Sequence, residues 1–431
     1  MKRVLVLLAL ALGLAGCKQT PPYTPVENRC GLVTYSLEQP LPGERDLESV
    51  VKGLGGDWLF LSGGSQKGAF GAGFLEGWAG EEGLPDFNLV TGVSTGALQA
   101  TPAFIGRPDM AVRGYTIDSE SEFLNAYVDG DAVADGLSAS AGLTLVRRGS
   151  ISDLAPVRER IGELLTPEVL AEVAARGESG AKLLVGATDL DLGRAVAFDM
   201  TLLAQRYVGA KTKTEKTRLR NCYIEALLAS TIVPPGARPV FIDNRMYIDG
   251  GVRYAVFDDR IRKVPFTTFT TVRDGRIERE VSPRLHIILN ADGETDTRCG
   301  KTDPDMCADP YSTEGQHKDW SILTLAFRSV DLLTSQVQRL SVDRAASRAE
   351  QLSGAAFFAK MRADDLGADG KPYAIPGFEG RNTCDAWRAL DDADENPLEF
   401  HKRYMRCLIV YGRERGAARD WDEPKPEETS P

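Results

Sequence analysis

The chain has 431 residues, 42% of them hydrophobic and 26% charged, an ordinary globular composition with room for one large domain or two of moderate size. Its formal net charge of -11 argues against a nucleic-acid partner, because the one concentrated basic run, Lys211 to Arg220, reads as a solvated loop. No internal repeat and no long low-complexity tract appears.

Residues 1–16 read as a processing signal, with a basic start (Met1-Lys2-Arg3) and an apolar stretch from Val4 to Gly16 too short for a membrane span. Leu14-Ala15-Gly16-Cys17 resembles the lipobox of bacterial lipoproteins. That resemblance implies cleavage before Cys17, lipidation of its thiol, and an exported protein held on a membrane by several acyl chains. Lys18, rather than Asp, after the cysteine favours the outer membrane if the source is Gram-negative. The stretch from Lys18 to about Asn28 carries three prolines and reads as a tether, with residues 17–56 as tether and lead-in. Apart from Cys17 the cysteines are Cys30, Cys222, Cys299, Cys307, Cys384 and Cys407. Export favours disulfides over free thiols, with Cys299–Cys307 and Cys384–Cys407 as plausible pairs. No C-x-x-C and no histidine cluster points to a metal.

The centre of the chain alternates strand and helix patterns, which predicts a layered α/β fold. Asp57 to Ser62 reads as the first strand and Ala69 to Gly83 as its helix. Phe87 to Gly92 is a second strand, followed by a helix over Ser94 to Gly106. Arg107 to Gly180 is less regular and reads either as a flap over a lipid site or as a surface insertion. Ala181 to Asp191 and Arg194 to Met200 read as paired strands, and Asn221 to Ser230 as a short amphipathic helix. Pro239 to Gly251 reads as a hairpin with Asn244 near its turn. Arg284 to Gly293 is another buried strand, and residues 320–352 have a long helical period. The catalytic unit is expected over 57–360. A polar extension over 361–416 packs on it, and 417–431 is a disordered acidic tail.

Three motifs carry chemistry. Gly63-Gly64-Ser65-Gln66-Lys67-Gly68 follows the first strand and suits an anion held on backbone N–H groups. Gly92-Val93-Ser94-Thr95-Gly96 is G-x-S-x-G, a sharp strand-to-helix turn whose small neighbours leave the Ser94 hydroxyl clear above a helix N-terminus. Asp249-Gly250-Gly251 ends a strand with glycines that admit another backbone. A serine nucleophile needs a base. His286 lies in an apolar run, and His317 and His401 lie in polar surroundings typical of surface, so Asp249 is the favoured candidate. Nucleotide binding does not fit. The glycine turn lacks the Gly-Lys-Ser/Thr of a phosphate-binding loop, and Ser65 breaks the dinucleotide spacing.

In order and separation, these motifs resemble the patatin-like phospholipase family over roughly residues 57 to 255, including Ala229-Ser230 and Pro234 after a helix. The resemblance implies a three-layer α/β/α fold with a central, mostly parallel sheet. It also implies a lipid acyl hydrolase, acting on a membrane lipid or other acyl ester, with a Ser94–Asp249 dyad. The oxyanion would be held at Gly63, Gly64, Ser65 and Gly68, with Lys67, Gly92, Gly96 and Gly250 in support and neither metal nor cofactor required. Ser65 replaces the family's third glycine. Two other readings are an ordinary Ser-Asp-His esterase using His286, and a lipid-binding envelope lipoprotein with a decayed site.

Overall fold

The computed structural model describes residues 26–52, 54–128, 147–257, 270–273, 276–279, 284–291, 322–351, 356–378 and 380–422. Its centre is a ten-stranded sheet. In chain order the strands are β1 (Thr34–Ser36), β2 (Arg45–Asp46), β3 (Asp57–Leu61), β4 (Phe87–Val93), β5 (Lys182–Asp189), β6 (Arg194–Asp199), β7 (Val240–Ile242), β8 (Arg245–Asp249), β9 (Arg284–Leu289) and β10 (Ala356–Lys360). Across the sheet the order is β10-β9-β3-β4-β5-β6-β1-β2, and β8 pairs with β5 and β7. From β10 to β5 every neighbour is parallel, and β6 and β8 both run antiparallel to β5. The sheet is therefore mixed and mostly parallel at its centre, flanked by helices, as the alternating pattern predicts.

Side chains alternate across β3, which puts Leu59 and Leu61 in one apolar cluster and Trp58 and Phe60 in another. Both clusters are fully buried, which explains why this strand reads as a continuous apolar run. The longer helices among the described residues are α1 (Gly68–Ala79), α2 (Thr95–Phe104), α3 (Pro108–Tyr115), α4 (Ala155–Leu164), α5 (Pro167–Glu178), α6 (Met200–Gly209), α7 (Lys213–Ala229), α8 (Ile322–Gln351), α9 (Cys384–Asp394) and α10 (Lys402–Ala417).

Several sequence expectations change. The basic run from Lys211 is not a loop: Thr212 caps α7 through the Glu215 N–H at 3.1 Å, and the charged residues lie on its first turns, Glu215, Lys216, Arg218 and Arg220 half-buried. The region 107–180 carries α3, α4 and α5, while residues 129–146, the core of the expected flap, lie outside the described residues. The two-strand edge β1–β2 precedes what reads as the first strand. The hairpin expected around Asn244 is present, with Asp243 and Asn244 both at positive φ (51° and 66°), the geometry of a tight two-residue turn.

The polar extension is tied into the core by α10, which lies along α1. A Cβ on Gly73 would fall 2.2 Å from the Ile409 carbonyl oxygen, and one on Gly412 2.2 Å from that of Phe70. Gly77 and Gly416 meet their opposite backbones in the same way. Glycines four apart on both helices thus let the backbones interlock. Disulfides join Cys30 to Cys222 and Cys384 to Cys407, the second a pair expected from sequence. Cys17, Cys299, Cys307 and His317 lie outside the described residues, as does the tail beyond 422.

Candidate active site

The strand register explains how Ser94 and Asp249 meet. Val93, the last residue of β4, lies opposite Gly186 of β5. Asp249, the last residue of β8, lies opposite Ala187. The strands β4 and β8 occupy the same side of β5 and run toward each other, so each ends where the other does. Ser94 follows the end of one, and the Asp249 carboxylate closes the other and hydrogen-bonds the Ser94 side chain.

Ser94 sits at φ 55°, ψ −126°, a strained conformation for a residue with a Cβ, and is half-buried. The turn is possible because its neighbours are small: a Cβ on Gly92 would lie 2.4 Å from the Gly96 carbonyl oxygen, and one on Gly96 2.3 Å from that of Leu61. Ser230, at the end of α7, supports it from beneath. Its Oγ accepts the Ser94 N–H at 2.9 Å and donates to the Gly186 carbonyl at 2.5 Å. Helix α2 starts at the next residue, so its N-terminal dipole favours negative charge at the hydroxyl.

Asp249 is 4% exposed. Its backbone N–H donates to Ile232 (2.8 Å), its carbonyl accepts from Thr188 Oγ1 (3.0 Å), and its Oδ1 accepts the Gly251 N–H (2.5 Å). Burial pushes the carboxyl up to about 7, against the lowering effect of its bonds to Ser94 and Gly251, and the nearby Glu399 adds to the rise. Such a group can accept a proton near neutral pH. Gly250 packs against the Gly186 carbonyl, 2.7 Å from where a Cβ would stand.

The glycine turn lies directly beside Ser94: a Cβ on Gly63 would sit 2.9 Å from that of Ser94. Gly64 is at φ 154°, and a Cβ there would fall 1.8 Å from the Asn290 carbonyl oxygen, so no other residue fits. Asn290, just after β9, holds the strand before the turn through Ser62 (2.8 and 2.7 Å) and the helix after it through the Gly71 N–H (3.1 Å). Ser65 is at φ 49°, which costs a residue with a Cβ about 1 kcal/mol relative to glycine. Among the described residues, no hydrogen bond engages the N–H groups of Gly63, Gly64 or Ser65. The N–H of Gly68 turns back onto the carbonyls of Ser65 and Gln66, so it is engaged within the turn. Lys67 is half-buried, and its N–H closes the turn onto the Gly64 carbonyl at 2.9 Å.

His286 does not approach Ser94. It lies near the start of β9, its Nε2 2.9 Å from Asp57 Oδ1 and its ring packed among Trp78, Phe87, Phe357 and Trp421. Asp57 begins β3, whereas the glycine turn follows the end of that strand, so the pair stands at the opposite edge of the sheet. This removes the Ser-Asp-His arrangement built on His286. His401, expected at the surface, is instead 4% exposed and bound to Gln66 of the glycine turn. Asn290 and His401 carry no sequence motif, whereas Ser230 is marked by the Ala-Ser ending of α7.

Among the described residues no group of three or more His, Cys, Asp or Glu could hold a metal ion, and no helix is long and apolar enough to cross a membrane. Residues 59–257 match the model of the patatin-like phospholipase family. No curated protein sequence matches the chain. Among solved structures, VipD from Legionella pneumophila is similar at 11% sequence identity with a TM-score of 0.27, covering 92% of this chain and 73% of that one.

Proposed function

We propose that this protein is a serine acyl hydrolase acting on lipid esters, with Ser94 as nucleophile and Asp249 as base. The observation that carries the reading is the meeting of β4 and β8 end to end on β5, which brings a strained, half-buried serine to a buried carboxylate with a raised pKa. The family match over 59–257 supports a lipid acyl hydrolase. Asp249 takes the hydroxyl proton as Ser94 Oγ attacks the ester carbon. The carbonyl π electrons move onto oxygen, and this oxyanion is stabilised by the N–H groups of Gly63, Gly64 and Ser65. Collapse expels the alcohol, which takes the proton from Asp249 and leaves an acyl-Ser94. Asp249 then removes a proton from water as it attacks the acyl carbon, and collapse of this second tetrahedral intermediate releases the acid while Asp249 returns the proton to Ser94 Oγ. We further propose that the protein is exported and anchored through a lipidated Cys17, so that its substrate lies in or on a membrane.

A fluorophosphonate probe tests the nucleophile. Labelling of the wild type and none of Ser94→Ala is expected. Equal labelling of both proteins would remove Ser94 from the chemistry and place the reactive nucleophile elsewhere, whereas labelling of neither would leave a lipid-binding role.

A further inference from the structure

The loop joining α9 to α10, residues 395–401, reaches the glycine turn from far along the chain. Its backbone is gripped by one carboxylate: Glu120 accepts the N–H groups of Leu398 (2.9 Å), Glu399 (2.6 Å) and Phe400 (2.8 Å). Phe400 stacks on Phe123 with centroids 4.7 Å apart. From this loop two contacts reach the turn. The hydroxyl of Ser65 donates to the Glu399 carboxylate, and Gln66 Oε1 accepts the His401 N–H at 3.1 Å. The His401 ring stands between Gln66 and Asp392, 3.1 and 3.0 Å away. The loop is fixed behind as well, because Cys384–Cys407 joins the flanking helices and α10 interlocks with α1, the helix that the turn opens.

We propose that Glu399 is a positioning residue for the oxyanion turn, fixing Ser65 and through it the N–H groups of Gly63, Gly64 and Ser65. This rests on the hydrolase reading only for the reaction that the turn serves. It explains the serine. Gly64 and Ser65 both have positive φ, and a third glycine would leave the turn free to relax, whereas a serine hydroxyl gives the loop something to hold. The second effect is electrostatic. Glu399 faces Glu120 and His401, and its charge disfavours the ionised form of Asp249.

The test uses the full-length oxidised protein and a short p-nitrophenyl ester, with Ser65→Ala, Glu399→Ala, Glu399→Gln and the Ser65→Ala/Glu399→Ala double variant. Each alanine variant is expected to lower kcat about tenfold with KM little changed, since a misplaced donor costs less than a missing one. The double variant should be no worse than either single one. Glu399→Gln should recover kcat to within about twofold, because its amide oxygen still accepts from Ser65. Its acid limb should move to lower pH, because a negative charge beside Asp249 is gone. Hydrogen exchange of the peptide over 62–68 reads the turn without turnover, and it should quicken in Glu399→Ala and return to normal in Glu399→Gln. Unchanged exchange in Glu399→Ala, or losses in the two single variants that multiply in the double, would overturn the proposal. Failure of the probe to distinguish Ser94→Ala would instead overturn the hydrolase reading and leave the exchange result standing.

Discussion

The Ser230 hydroxyl stands between the backbone N–H of Ser94 and the carbonyl of Gly186, bonded to both. It joins the end of α7 to the strained turn and to the strand along which Asp249 arrives. Ser230→Ala leaves a buried N–H and a buried carbonyl without this partner. A stability loss of about 1–3 kcal/mol is expected, together with a kcat lower by about tenfold through displacement of the hydroxyl. Denaturant unfolding and steady-state kinetics on the same sample check both.

The raised Asp249 pKa sets a pH profile. As the proposed base, Asp249 must be ionised, and its pKa is about 7, so kcat/KM should rise with pH through a single ionisation near 7 and level off above it. A plateau already reached at pH 5 would mean that another group limits the reaction.

The same group links stability to pH with the opposite sign to the usual carboxylate. The pKa rises from 3.8 unfolded to about 7 folded, so the native state binds the extra proton between these values. Stability from this group is therefore full below about pH 4 and falls as pH rises to 7. Asp249→Asn, uncharged and nearly isosteric, is expected to be more stable than wild type by roughly 2–4 kcal/mol at pH 8. The difference should vanish near pH 4, while turnover drops by about a thousandfold or more at every pH. Thermal melts across pH 4–8 decide it.

His286→Ala separates packing from chemistry. The imidazole fills an aromatic cage and binds Asp57, so its removal is expected to cost about 2–3 kcal/mol. The kcat of the folded protein should remain within about twofold of wild type. Loss of activity at full stability would restore the histidine to the mechanism.

The α1–α10 contact reverses the ordinary effect of Gly→Ala in a helix. Gly412→Ala would force a Cβ to within 2.2 Å of the Phe70 carbonyl oxygen and is expected to destabilise by several kcal/mol. Gly209→Ala, where the new methyl meets open space, should be neutral or stabilising by up to about 1 kcal/mol. Urea midpoints of the two variants compare the effects directly.

The sequence is legible where local chemistry leaves a mark. Ser94 and Asp249 each stand among glycines that only a close backbone contact requires, and the β3, β4 and β5 strands read as apolar runs because both faces are covered. Legibility fails where partners are distant in sequence. Glu399 and His401 touch Ser65 and Gln66 across more than 330 residues, with no period or spacing to announce it. His401 sits in polar surroundings along the chain, so its burial follows from the docking of α10 rather than from its neighbours. The glycines of α10 read as helix-weakening until α1 is seen lying against them. Cys30–Cys222 is likewise one of many possible pairings until the lead-in is placed beside α7.

The lead-in beside that disulfide also sets the length of a leash. With the proposed anchor on Cys17 and the chain first held to the body at Val26, whose carbonyl accepts the Asn244 N–H, eight residues lie between the two points. Fully extended they reach about 30 Å. Under the proposed anchoring the body would reorient at its own membrane without leaving it. Its substrate would then come from the surface that holds it, or from whatever is brought to that surface.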